Sequence, residues 1–311
     1  MPTLNDAHCH FFTEGFFAAL AWQRGKAESI EDLTRELGWE SPGGAEQLAD
    51  RWVRELDTHG VSRAALMASV SRDEDAVGAA VARHPSRFVG FFMIDPAAGD
   101  ATERARRGFE DFGLHAACLF PAMHHVALDD VRTDRILDIA AAHPGSAVFV
   151  HCGVLSMGVR KKLRLPSPFD VRLGNPLDLQ PVATAYPQVS FIVPHFGAGL
   201  FREALMLADM CPNVYLDTSS SNGWMRYVPG LTLESVFRTA LAVVGPSRLL
   251  FGTDSSFYPR GWQKGIYEEQ KRVLDGLGMS ADDQALIFGG NFNRLFTVNS
   301  QLPRPNAQSA R

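Results

Sequence analysis

The sequence predicts an α/β protein built as one (β/α)8 barrel, a single domain with a long loop after the fifth strand and a C-terminal helix. Three observations predict it. Eight short apolar runs alternate with helical stretches along the whole chain, and such alternation implies a parallel sheet whose crossovers are the helices. Residues 88–95 form an almost unbroken apolar run, as strands buried on both faces do. No tandem repeat divides the 311 residues, and closed barrels run as one domain at this size. An open doubly wound sheet is the alternative that the same alternation allows. The barrel is expected to span residues 1–300, and 301–311, with two prolines, reads as an unstructured tail.

The first strand is read as 3–8. An excursion with mixed helical signals follows, up to Pro42-Gly43-Gly44. Residues 45–59 make the first regular helix, because Leu48, Trp52, Val53 and Leu56 recur at helical spacing and Gly60 supplies the stop. The second strand is 61–69, with Ala64-Ala65-Leu66-Met67 at its centre. A helix over 73–84 is closed by Pro85, and 88–95 is the third strand. After a helix at 102–112, the fourth strand, 114–120, ends at Pro121. Residues 130–143 are helical and again meet a proline, and the fifth strand is 147–151. Asn175-Pro176-Leu177-Asp178 opens the next helix with Asn as cap, Pro at the first position and Asp in the first turn. The sixth strand (190–195), a helix (200–210), the seventh strand (213–217), a helix (233–244) and the eighth strand (248–254) complete the ring. Helices at 264–277 and 281–296 follow.

A 46% apolar content is ample for a large core, and a net charge of −5 argues against nucleic acid as a partner. Cys9, Cys118, Cys152 and Cys211 show neither C-x-x-C spacing nor the density of a secreted scaffold, so a reducing cytoplasm is expected. There is no basic start followed by an apolar run, hence no expected secretory leader, and no stretch of about 18 apolar residues that would span a membrane.

Chemistry in a barrel of this kind sits at the C-terminal ends of the strands. That rule gathers His8 and His10 from strand one, His151 from strand five, His195 from strand six and Asp254 from strand eight. Residues i and i+2 of a strand share a face, so His8 and His10 can serve one cation. Neutral imidazole suits zinc and its neighbours. Each residue has a bland reading by itself: a satisfied core histidine for His151, a loop cap for Asp254. Their joint placement at one end favours a metal site. His59, His84 and His143 fall at helix ends, where the dipole favours a cation. His115 begins strand four on the far face, and His124 and His125 lie just past its end.

Asp6-Ala7-His8-Cys9-His10, His151, Pro194-His195-Phe196-Gly197-Ala198-Gly199, Phe251-Gly252-Thr253-Asp254 and Gly289-Gly290-Asn291-Phe292-Asn293-Arg294-Leu295-Phe296 together resemble the amidohydrolase superfamily. They resemble in particular the amidohydrolase-related branch that includes aminocarboxymuconate semialdehyde decarboxylase. The resemblance runs from Asp6 to Phe296 and is far more specific for the superfamily than for the reaction. It implies that His8, His10, His151 and Asp254 hold a divalent cation and that His195 is the acid/base beside it. Two-metal members bridge their ions with a modified lysine at the end of strand four. Residues 114–125 contain no lysine, which favours one metal and leaves a glutamate bridge from elsewhere open. Zinc is the expected ion and manganese the alternative.

Such a cation lowers the pKa of bound water toward ~7 and polarises a carbonyl. The expected activity is hydrolysis of a small amide, ester or lactone. Non-oxidative decarboxylation of a small unsaturated or aromatic acid is the alternative, and a barrel that binds metal without catalysis is a third reading, against which the complete ligand set speaks. Arg160-Lys161-Lys162-Leu163-Arg164, in the long loop 154–174, reads either as an electropositive lip or as a solvated charge run. Arg260 is the candidate for a substrate carboxylate, with Trp262 and Trp224 as candidate aromatic walls, each equally readable as packing. The expected partner is a small molecule, anionic if Arg260 has that role. Neither nucleic acid nor a membrane is expected, and a homodimer is kept open.

Overall fold

In the computed structural model, which describes residues 3–25, 29–219 and 222–297, nine parallel strand segments form one sheet. They are β1 (Asn5–Phe11), β2 (Arg63–Ala68), β3 (Phe88–Met93), β4 (Ala116–Leu119), β5 (Ala147–Val150), β6 (Ser190–Val193), β7 (Val214–Asp217), β8 (Leu249–Leu250) and β9 (Ser255–Ser256). From β1 to β8 each pairs with its neighbour in sequence, and β9 pairs with β1. Segments β8 and β9 are the two ends of the eighth strand. The first lies against β7, the second against β1, and between them the Ala7 N–H donates to the Phe251 carbonyl at 2.8 Å. The sheet therefore curls round on itself as a (β/α)8 barrel and does not lie open.

Period-two alternation explains why both faces are dry. Ala65 and Met67, Val89, Phe91 and Met93, Ala116 and Cys118, and Ala147 and Phe149 pack together inside the ring. Their neighbours Ala64, Leu66, Phe88, Phe92, Ala117, Val148 and Val150 pack outward with the helices. Phe292 and Phe296 of the last helical stretch close the interior core. Ala281–Ala285, Leu286–Gly290 and Asn291–Leu295 are one helical run whose middle widens to a π-turn.

Of the boundaries that differ from the sequence reading, two bear on the site. The first strand continues through His10 to Phe11, because the apolar Phe11 is fully buried and paired with Ala68. The eighth is broken at 251–254, where Asp254 takes a left-handed conformation (φ 57°). The excursion after β1 holds the helices Glu14–Gln23 and Ile30–Leu37. Phe16, Phe17, Leu20, Leu33 and Leu37 form a small core with Val159 and Leu163 of the long loop after β5. This second core stands over the C-terminal ends of the strands. Among the described residues no helix is long and apolar enough to cross a membrane. The expected tail at 301–311 lies outside the described residues.

Candidate active site

Strand β1 carries a bulge where the site begins. Asp6 is opposite Ala64 but Cys9 is opposite Leu66, so one extra residue is accommodated between them. The Asp6 carboxylate holds it. Oδ1 accepts the His8 N–H at 2.9 Å and the Thr253 N–H at 3.1 Å. Oδ2 accepts Thr253 Oγ1 at 2.5 Å and Trp262 Nε1 at 2.7 Å. Burial raises the Asp6 pKa, and these hydrogen bonds oppose the rise. Asp6 thus joins the first strand to the last, a role for which the sequence offered no derivation.

The bulge leaves both imidazoles aimed at Asp254. His8 Nδ1 lies 2.6 Å from Asp217 Oδ2, and His10 Nδ1 lies 2.9 Å from Ser69 Oγ. With those nitrogens engaged, the Nε2 atoms face one carboxylate oxygen, Asp254 Oδ1, at 3.6 Å from His8 and 3.1 Å from His10. One ligand atom from each of His8, His10 and Asp254 lies within 4.8 Å of the others, as a shared cation requires. His151 stands outside this tight set. It stacks on Phe120, and its Nδ1 is buried without a hydrogen-bond partner among the described residues. A cation beside this cluster would give that orphaned imidazole a charge to face, so the donor set fits a divalent metal.

His195 completes the cluster, its ring centroid 5.0 Å from His8 and 5.5 Å from His151. Its backbone is left-handed (φ 55°), an uncommon conformation for a residue with a side chain. Ser219 holds the ring, with Oγ 2.9 Å and the carbonyl oxygen 3.3 Å from Nδ1. Donation from Nδ1 to that carbonyl leaves Nε2 as the basic nitrogen.

The charges are balanced across the cluster. Burial opposes the charged form of His8, but the carboxylates of Asp217, Asp254 and Asp6 outweigh it and raise the pKa. Burial would raise Asp254, yet the hydrogen bond from His10 and the neighbouring imidazoles hold it well below the usual carboxylate range. His151 and His195 are pushed down, chiefly by burial, and so stay neutral. Gly252 makes this packing possible: a Cβ there would come within 2.8 Å of Asp217 Oδ1 and 2.9 Å of His8 Cβ.

The cluster forms the polar wall of a cavity of about 410 Å³. Phe12, Met93, Phe120, Met123, Leu155 and Met157 give it an apolar lining, with Lys162 and Arg260 as its cations. Of the basic run in the long loop, Lys162 reaches the cavity, its ammonium 5.4 Å from the centre of the Trp39 ring. Arg160 is tied down by Gln23 and the Pro166 carbonyl. Trp224 and Trp262 are not on the cavity wall, contrary to the expectation from sequence. Trp262 is buried with its indole N–H on Asp6, and Trp224 is buried against Phe201. Sequence reasoning also passed over Asp217, Ser69 and Ser219. The first two end strands seven and two, so the strand-end rule could have selected them, whereas nothing local marks Ser219.

A (β/α)8 barrel with a histidine- and aspartate-lined cavity at the C-terminal ends of its strands defines a class of enzyme folds in which loops set the substrate. The sequence model of the amidohydrolase family matches residues 6–298, and the chain belongs to that family. It is 28% identical over 227 residues to protein fluG of Emericella nidulans, a stretch covering 68% of this chain and 24% of that protein. The chain thus matches about a quarter of that relative's length. Among solved structures it is similar to 5-carboxyvanillate decarboxylase LigW from Sphingomonas paucimobilis, with a TM-score of 0.64, 17% identity and coverage of 95% and 99% of the two chains. It is also similar to an amidohydrolase from Burkholderia multivorans with bound zinc, with a TM-score of 0.63, 17% identity and coverage of 94% and 98%.

Proposed function

We propose that the protein is a mononuclear metal-dependent hydrolase of a small carbonyl compound, an amide, ester or lactone. The observation that carries the reading is the convergence of His8 Nε2, His10 Nε2 and Asp254 Oδ1 at the cavity, with neutral His151 and His195 beside them. His8, His10, His151 and Asp254 would hold the ion, zinc before manganese because most donors are imidazole. When bound, the ion supplies Lewis acidity toward the carbonyl oxygen and acidifies water. Asp254 orients the attacking water, and His195 Nε2 accepts its proton and returns it to the leaving group. The apolar lining orients the body of the substrate and excludes bulk water.

Decarboxylation of a small aromatic or unsaturated acid is the second reading. The aromatic lining with two cations supports it, as does the likeness to the carboxyvanillate decarboxylase. There the same proton donor would protonate the carbon from which carbon dioxide leaves. Panels of amides, esters, lactones and aromatic acids, assayed on zinc-loaded protein, separate the two by product. A new carboxylate is the expected result, and carbon dioxide together with the decarboxylated compound, without any hydrolysis product, would replace hydrolysis by decarboxylation. His195→Ala is expected to keep its metal and lose about 10²–10⁴ in turnover. A metal-free His195→Ala protein would make His195 a ligand.

A further inference from the structure

We propose that a groove beside the cavity mouth is a second compartment of the binding site, in which Arg54 and Arg260 hold an anionic group at the far end of the substrate. The groove measures about 600 Å³ and is lined by Trp39, Arg51, Arg54, Glu55, Phe257 and Arg260 among others. Trp39 and Arg260 also line the cavity, so the two spaces share a wall and a cation.

The charges of the groove decide what it would take. Arg51 is committed to the protein: it donates to the Ser41 carbonyl at 3.0 Å and to Glu40 at 2.6 Å, and it lies over the Phe257 ring. Glu40 is thereby neutralised. Glu55 turns Oε1 to the Trp262 N–H at 2.8 Å and to His59 Nε2 at 3.4 Å, and stands as one acid against the two remaining guanidiniums. What remains is Arg54 and Arg260, both exposed and, among the described residues, without a side-chain partner. Arg54 follows Arg51 by three positions on the helix Ala45–Thr58, so the two guanidinium-bearing side chains neighbour each other on one face. Like charges so placed repel, and an anion between Arg54 and Arg260 would relieve them. A guanidinium is built for the paired oxygens of a carboxylate or phosphate.

The cavity, by contrast, carries Phe12, Met93, Phe120, Met123, Leu155 and Met157 beside its histidines and shares Arg260 with the groove. A fitting ligand has its carbonyl at the metal cluster, an apolar body along Phe12 and Met157, and an acid that emerges past Trp39. This deepens the reading above, on which it rests for the reacting end. It places the carboxylate expected at Arg260 at the end of the substrate remote from the reacting carbonyl.

The test is a binding measurement that needs no turnover. Calorimetric titration of the zinc-loaded protein with 4-phenylbutyrate, its neutral amide and the short acid benzoate compares wild type with Arg54→Ala, Arg54→Lys and Arg260→Ala. Arg54→Ala and Arg260→Ala are expected to weaken 4-phenylbutyrate roughly tenfold or more, the loss of a charged hydrogen bond. The amide should be unaffected in both variants and benzoate in Arg54→Ala, while Arg54→Lys should retain part of the affinity. Unchanged 4-phenylbutyrate affinity in Arg54→Ala, equal losses of acid and amide, or no binding of 4-phenylbutyrate to wild type would each overturn the second compartment. Failure of the hydrolase reading would show instead as absent turnover and would leave these titrations interpretable.

Discussion

The 2.6 Å contact between His8 Nδ1 and Asp217 decides which nitrogen of that ring faces the cavity. Donation to the Asp217 side chain fixes the Nδ1–H tautomer and strengthens Nε2 as a ligand, as carboxylates behind metal-bound histidines do. Asp217→Asn is expected to lower metal affinity 10- to 100-fold, measured by competition with a chromophoric chelator. Unchanged affinity would mean that the ring is oriented by Ser219 alone, whose Oγ also lies 3.0 Å from His8 Nδ1. Asp73 raises a different issue. It is buried at the start of the helix Glu74–Arg83 and accepts a hydrogen bond from Thr13. Burial, reinforced by Glu74 and Asp75, lifts its pKa from 3.8 to about 6. Because the folded value is the higher one, the associated stability is full below pH 3.8 and is lost as pH rises through about 6. Asp73→Asn should therefore gain on wild type by up to about 3 kcal/mol between pH 4 and pH 7.5, read from urea unfolding at both. A pH-independent difference would place the Asp73 titration elsewhere.

At the scale of elements, the cavity wall comes from segments outside the barrel. The helices Glu14–Gln23 and Ile30–Leu37 pack on the loop after β5, and Phe12, Trp39 and Met157 flank both that small core and the cavity. The barrel was legible because each strand is a dense apolar run and each helix has its own stop. The cluster of His8, His10, His151, His195 and Asp254 was legible because strand ends share one face of a barrel. The bulge was not, since Asp6 creates it through Thr253 and Trp262, more than two hundred residues away in sequence. Trp262 and Trp224 misled for the same reason. A tryptophan near a site looks alike in sequence whether it turns toward the cavity or into the core, and burial of both decided for packing. The loop 154–174 was recognised as long, but not that Val159 and Leu163 would anchor it on the first excursion.

For the whole molecule, the proposed metal site would make stability depend on the ion. A ligand that binds the folded form at 100 times its Kd stabilises it by about 2.7 kcal/mol. Removal of zinc with a chelator should then lower Tm by several degrees, and readdition should restore it. His8→Ala should show neither change in a thermal scan. An equal response in His8→Ala would mean that the ion acts somewhere else on the protein.

The seam between β1 and β9 also orders events in time. His8 and His10 are made more than two hundred residues ahead of Asp254 and of Ser255, with which Cys9 pairs. Until Asp254 is made, the two histidines lack the carboxylate that completes their tight set. On the proposed metal site, the full donor set therefore comes together only with the closing of the ring, so that barrel closure and completion of the site are one event.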